Sequence, residues 1–443
     1  MFKKTLLFIF FFYLSVFASY PDTLIIKMTK HKGLGPFRMH WSQVKEMSPN
    51  NSWRSCVPQI KGIADTLDRF MFATMEVDFL QHTYQNYYMG NITMAKYMDL
   101  QESWDWPADS SQFTKKFVKV NIAVTAGIDK KGQTVVVIDR NNNYDLSDDP
   151  PYIIPPKIKG QKFPKRYNDS LLIKVDYSYY DGKSILKDST WLYVDHDLFT
   201  YNLADSLLYD TPVALTYAFR EYRTGAVKLN GQEYIIYTSS SRPIGRNYTH
   251  LMLQTGKDRL GNPLYSDEIN HNEKVEIGDA FYRFKDIMQS GKYIMLTKVS
   301  DAESRKGSQV GFYTPDFSAK TFNNEEIKLK EYKGKYVLLD FWGTWCGPCI
   351  AEIPHLKRIY EKYAGKNFAI IGIANDTKAK VADFVQRKNI PWPQIIQDDS
   401  KEILKLYNIQ GYPTIFLIDP EGKIIEKNIR SAVLDEKLEE LLD

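Results

Sequence analysis

The sequence predicts a multidomain chain: a β-rich, sandwich-like N-terminal region followed by a C-terminal α/β domain. Three observations carry this. The chain has 443 residues, more than one ordinary core encloses. Between residues 118 and 299, β-branched and aromatic runs alternate with Asp-Gly, Asn-Gly and Ser-Gly turns, which is hairpin texture. From Phe312 onward, apolar runs alternate with amphipathic stretches, the order of a central sheet covered on both faces.

Residues 1–18 read as a signal peptide. Lys3 and Lys4 precede the apolar stretch 5–18, Val16-Phe17-Ala18 offers a small-residue cleavage site, and polar sequence begins at Ser19. The stretch is short for a bilayer span; an uncleaved anchor is the competing reading. No cysteine follows it, which argues against a lipid anchor. No other segment approaches spanning length, so a soluble exported protein is expected.

Residues 19–300 form the β-rich region, as one unit or two. Residues 118–128 and 134–139 flank Lys130-Lys131-Gly132 as hairpin arms. Residues 171–180 lead through Asp181-Gly182 to 190–194. Residues 226–229 and 233–238 flank Asn230-Gly231, and 281–287 and 292–299 flank Ser290-Gly291. The first hundred residues are less regular and leave room for helix. Asp139 to Asp149 and Asp258 to Glu268 share the pattern Asp-Arg-x-x-Asn-x-x-x-Ser-Asp-acidic, from two related halves or by chance.

The polar stretch 301–311 reads as a linker, and 312–443 as the α/β domain. An entry hairpin is expected over 317–329. Strand 336–341 leads to helix 349–363, and strand 368–374 to helix 378–387. Segment 394–397 leads to helix 401–407. Strand 414–418, the turn Pro420-Glu421-Gly422, strand 423–428 and a helix from Val433 complete it.

Composition narrows the function. Apolar content of 43% and charged content of 25% are those of a globular chain. The net charge of +4 is well mixed, and no basic run is interleaved with stacking aromatics, so nucleic acid is not expected as a partner. Three cysteines, Cys56, Cys346 and Cys349, exclude a disulfide-stapled scaffold and leave one working pair with one thiol over. Cys56 reads as a buried free cysteine. The seven histidines show no ligand spacing.

The working pair is Cys346-Gly347-Pro348-Cys349, between an apolar strand and a helical pattern. In that layout the strand delivers the Cys346 sulfur to the surface, and the helix N-terminus stabilises its thiolate. Pro348 suits an early helical position, where its missing N–H has no helical partner. Cys349, further into the helix, should be buried. Thiolate Cys346 then attacks a substrate disulfide, and Cys349 resolves the mixed disulfide. Deprotonating buried Cys349 needs a base. Asp340, the one charged residue in its strand, and Glu352, one helical turn past Cys349, are the candidates. A surface-pointing Asp340 and a helix-start Glu352 are the plainer alternatives.

Other chemistries fit less well. Zinc needs two more ligands, and no second cysteine pair exists. Asp139, Asn141, Asn143 and Asp145 alternate as in calcium loops. Tyr144 replaces the usual Gly and Pro150 the usual Glu, which excludes a complete EF-hand and leaves a looser calcium site or a polar turn. No cofactor is expected.

The sequence Phe341-Trp342-Gly343-Thr344-Trp345-Cys346-Gly347-Pro348-Cys349, with Glu352-Ile353-Pro354, Gly411-Tyr412-Pro413-Thr414, Thr314-Pro315-Asp316-Phe317 and Tyr332-Lys333-Gly334-Lys335, resembles the thioredoxin-fold family. Within it, the likeness is to the exported TlpA/ResA-like thiol-disulfide oxidoreductases. Residues 19–300 resemble the N-terminal extensions that such proteins carry in Bacteroidetes-type bacteria. The resemblance implies a C-terminal thioredoxin fold. It matches Asp340 to the buried aspartate of thioredoxin and Glu352 to the active-site glutamate of the ResA-like group. It implies a cis-proline at Pro413, with Tyr412 presenting backbone to an extended substrate strand and Trp345 framing the site. A peroxidase would need Thr where this chain has Gly343.

The expected function is therefore reduction of protein disulfides in the periplasm of a Gram-negative bacterium. A disulfide-bearing protein is the expected substrate. A membrane thiol-electron transporter is the expected reductant, since an oxidising compartment needs electrons delivered. The alternative is a ligand- or protein-binding protein in which the β-rich region is primary and the redox domain accessory.

Overall fold

A computed structural model describes residues 20–37, 42–44, 46–47, 51–62, 67–103, 111–154, 172–196, 215–240, 242–244, 249–288, 291–363, 365–409 and 411–443. The expected signal peptide, 1–18, lies outside them. Among the described residues, no helix is long and apolar enough to cross a membrane. The chain divides into two compact units. One holds Met1–His271 with Phe284–Lys298, and the other Asn272–Arg283 with Val299–Asp443.

The first unit is β-rich and contains a sandwich. One four-stranded antiparallel sheet has the order Asp68–Glu76, Asn121–Ile128, Thr134–Ile138, Tyr152–Ile154. A second has the order Ser42–Gln43, Leu215–Phe219, Ile185–His196, Ile173–Tyr180. Their inner faces meet in one core, where Met75, Ile122 and Val136 of the first sheet join Val175, Leu192 and Tyr217 of the second. A five-stranded sheet runs Pro263–Tyr265, Thr249–Lys257, Gln232–Ser240, Glu221–Leu229, Thr29–Lys32. The Asn230-Gly231 hairpin falls where its turn chemistry requires, both residues having positive φ. The irregular early segment holds helices Phe79–Tyr88 and Met94–Ser103. Asp78 caps the first by accepting the Gln81 N–H at 3.0 Å.

The Asp139 loop is a hydrogen-bonded turn. Asp139 is fully buried and accepts the N–H groups of Asn143 and Tyr144 at 3.0 and 2.9 Å. Asn141, Asn143 and Asp145 accept the N–H groups of Asn143, Asp145 and Ser147 in turn. The side-chain oxygens of all four calcium candidates thus meet loop amides. Among the described residues, no three His, Cys, Asp or Glu side chains converge. The echo at Asp258 has a local cause. Asp258 accepts the N–H four residues on, and so do Asp129 and Asp419. The first five residues of the pattern form an Asp-capped turn in both places.

The second unit is a thioredoxin-type α/β domain. Its five-stranded sheet has the order Gln394–Ile396, Phe368–Ala374, Tyr336–Trp342, Thr414–Ile418, Ile424–Lys427. The first three strands are parallel; Thr414–Ile418 runs antiparallel to Tyr336–Trp342. Helices Gly347–Tyr363, Lys378–Lys388, Gln397–Leu406 and Ser431–Leu442 complete it. Side chains alternate along the central strand. Val337, Leu339 and Phe341 enter one core, and Leu338 and Trp342 enter the other. The same alternation puts Asp340 on the face of Leu338 and Trp342, the side that holds both cysteines.

Residues 301–311, expected as a linker, begin with helix Asp301–Ser304. They clasp the hairpin Lys274–Ile277/Ala280–Arg283 of the same unit. The Gln309 side chain bonds both the N–H and the carbonyl of Lys274, each at 2.7 Å.

Candidate active site

The central strand ends at Trp342 and the helix begins at Gly347, so Cys346 sits at the junction and Cys349 one turn further in. The two form a disulfide with Cα atoms 5.3 Å apart. The Cys349 N–H points at Cys346 Sγ from 3.2 Å, an orphan donor of the first helical turn that favours negative charge on that sulfur. Cys349 is 3% exposed, the burial expected of a resolving sulfur. Cys346 corrects the expectation of an exposed sulfur: the residue is only 5% exposed. Its bond draws it toward Cys349, and both lie in one cluster with Trp342 and Ile353, against which Tyr412 packs.

The two tryptophans differ. Trp342 is 2% exposed, donates to Gln394 Oε1 at 2.8 Å and packs on Phe384, so it is core. Trp345 is 59% exposed, donates to the Asn375 carbonyl at 3.1 Å and stands edge-on to Tyr412, ring centroids 5.3 Å apart. Gly343 makes that pose possible, since a Cβ there would meet Trp345 Nε1 at 2.7 Å.

The Tyr412–Pro413 bond is cis. Thr414 Oγ1 donates to the Gly411 carbonyl at 2.7 Å, and Arg430 donates to the Pro413 carbonyl, which hold the loop. Burial pushes the Tyr412 hydroxyl up to about 12.

Asp340 is 5% exposed, not surface-pointing. Burial, then the charge of Glu352, pushes its carboxyl up to about 7, opposed by the Arg430 guanidinium. Glu352 accepts the Ser431 N–H at 3.0 Å and lies 2.9 Å from His355 Nδ1. His355 Nε2 lies 3.0 Å from Asp435 on the C-terminal helix. The Glu352–His355 spacing of three on one helix is a readable signal for the first contact; Asp435 is 80 residues further on. The structure therefore brings Asp340, Glu352, Cys346, Cys349, Trp345, Tyr412 and Pro413 together in one domain. Asp139, Asn141, Asn143 and Asp145 lie in the other unit.

This arrangement has close relatives. The AhpC/TSA family model matches residues 310–427. The chain is 40% identical over 135 residues to the thiol-disulfide oxidoreductase ResA of Bacillus thuringiensis, covering 30% of this chain and 77% of that protein.

The chain belongs to the ResA-like thiol-disulfide oxidoreductases.

The ResA-like domain is also 35% identical over 141 residues to the thioredoxin-like protein YneN of Bacillus subtilis, covering 31% of this chain and 81% of that protein. Among solved structures, the thioredoxin domain of a thiol-disulfide oxidoreductase from Bacteroides vulgatus is 33% identical. It covers 30% of this chain and 99% of its own, with a TM-score of 0.29. The named relatives favour the redox reading over the binding-protein one. In this ResA-like chain Cys56 stands apart: it is buried, and desolvation pushes its thiol up to about 11, which disfavours its thiolate.

Proposed function

We propose that this chain is an exported enzyme that reduces protein disulfides in the periplasm. The observation that carries the reading is the Cys346–Cys349 pair at the strand–helix junction, with a buried carboxyl raised to about 7 on the same side of the sheet. In the reduced enzyme the Cys346 thiolate attacks one sulfur of a substrate disulfide. The substrate S–S bond breaks, one substrate thiolate leaves, and a Cys346–substrate mixed disulfide forms. Cys349 gives its proton to the Asp340–Glu352 pair and attacks Cys346 Sγ. The second substrate thiolate leaves and the Cys346–Cys349 disulfide closes.

A carboxyl near 7 suits this step, because it both accepts and returns a proton close to neutrality. The Tyr412 backbone beside the disulfide offers an extended substrate strand hydrogen bonds, with Trp345 over the same edge. A membrane dithiol carrier reopens the disulfide, and the β-rich first unit selects the substrate.

The test is reduction of a model protein disulfide by the full chain with a regenerating dithiol. Turnover that Cys346→Ser abolishes supports the reading. Turnover equal to that of the dithiol alone removes it. Recovery of the mature chain from the exported fraction tests its location.

A further inference from the structure

His355 is a buried titratable side chain that sulfur exchange leaves without a task. It is 9% exposed, on the helix that begins at the disulfide. Nδ1 lies 2.9 Å from Glu352 Oε1, and Nε2 lies 3.0 Å from Asp435 Oδ1. His355 bridges the two carboxylates: the Glu352 and His355 side chains are mostly buried, 15% and 11% exposed, and Asp435 is 48% exposed. At the inner end, Glu352 acts on the charge of buried Asp340.

We propose that His355 relays protons between Glu352 and the solvent-exposed carboxylate of Asp435. It is a positioning residue that acts through Glu352, and the proposal rests on the reading that Asp340 and Glu352 handle the Cys349 proton.

Each closure of the disulfide removes one proton from Cys349, and each reopening by a dithiol returns one. The electrons pass only between sulfurs. The proton must cross from a buried thiol to water, and Asp340 is almost sealed from it. A neutral imidazole has one N–H and one lone pair on opposite sides of its ring. It takes a proton at Nδ1 from protonated Glu352 and gives one from Nε2 to Asp435, which releases it to water. The ring is left in the other tautomer. When the disulfide reopens, the same line runs inward and restores the first tautomer without turning the ring.

The surroundings confine the line. From its own helix His355 meets Glu352; from the C-terminal helix it meets Asp435. The Ser431 N–H donates to the same Glu352 Oε1 at 3.0 Å, and its hydroxyl to Oε2 at 3.4 Å. Asp340 and Arg430 are the charged groups at the inner end.

The experiment follows closure of the disulfide in reduced full-length chain mixed with excess small aliphatic disulfide. It compares dilute buffer with rising imidazole at pH 7. Wild type is expected to be insensitive to imidazole. His355→Gln should close about tenfold more slowly and recover as imidazole rises, because a diffusible base replaces the relay. Asp435→Asn should show a smaller loss with the same recovery. A His355→Gln rate equal to wild type, or slow at every imidazole concentration alike, overturns the relay. Glu352→Gln run in parallel separates the two readings. If it alone is slow, the relay fails and the Glu352 role stands; if neither variant is slow, both fail. Should His355→Gln not fold, Asp435→Asn decides, and a wild-type, imidazole-insensitive rate overturns the proposal.

Discussion

Glu352, on the active-site helix, raises the pKa of Asp340, on the central strand. Burial is the larger cause of the rise, and the Arg430 guanidinium opposes it. A negative charge nearby makes ionising a buried carboxyl harder still, which is the physical cause of that part of the rise.

That relationship sets a pH dependence of stability. The Asp340 carboxyl rises from its ordinary 3.8 to about 7, so between those values the folded chain binds a proton that the unfolded chain has lost. Its contribution is fully present below 3.8 and is lost as pH rises through 7. The loss amounts to a few kcal/mol, since each tenfold change in proton affinity is worth about 1.4 kcal/mol. Urea unfolding of the oxidised chain at pH 5 and pH 8 should show Asp340→Asn gaining more stability over wild type at pH 8 than at pH 5. Equal differences at both values would contradict the buried, raised carboxyl.

The two tryptophans should separate stability from recognition. Trp342→Ala removes a buried ring and its bond to Gln394, and should cost about 3–5 kcal/mol in chemical denaturation. Trp345→Ala should change stability by less than about 1 kcal/mol, because the ring is mostly exposed. Its effect should appear as a raised KM for protein disulfides and not for small ones.

Gly372 is required by close approach. A Cβ there would fall 2.0 Å from Gln394 Oε1, the acceptor of Trp342 Nε1. Gly372→Ala should displace that side chain and orphan the indole N–H, lowering stability by about 2 kcal/mol or more. An unchanged melting temperature would contradict this packing.

In the β-rich unit, Asp139→Ala should leave the N–H groups of Asn143 and Tyr144 without their acceptor and cost about 1–3 kcal/mol. Thermal melts with and without millimolar calcium check whether the loop stands on its own hydrogen bonds. A wild-type shift that Asp139→Ala removes would mean that it does not.

Local signals are legible in the sequence and distant ones are not. The Cys346–Cys349 pair, the strand before it and the hairpin at Asn230-Gly231 declare themselves within a few residues, through period and turn chemistry. Helix Phe79–Tyr88 is obscured because its buried positions include Gln81, His82, Gln85 and Asn86. Gln81 and Gln85, for example, bond the backbone at Thr114 and Val118, so its inner face does not look apolar. The attachment of Lys274 to Gln309 joins segments 35 residues apart through one side chain, which no periodicity records. The burial of Cys346 is hidden for a similar reason: part of its cover, Tyr412, arrives from a distant loop, beyond two further strands of the sheet.

The division of labour proposed for Cys346 and Cys349 can be tested on the sulfurs themselves. Reduced Cys349→Ala, mixed with a disulfide-bearing model protein, should hold a lasting mixed disulfide that peptide mass mapping places on Cys346. Cys346→Ala should hold none. An adduct on Cys349 in the second variant at a comparable rate, or no adduct in either, would contradict the account.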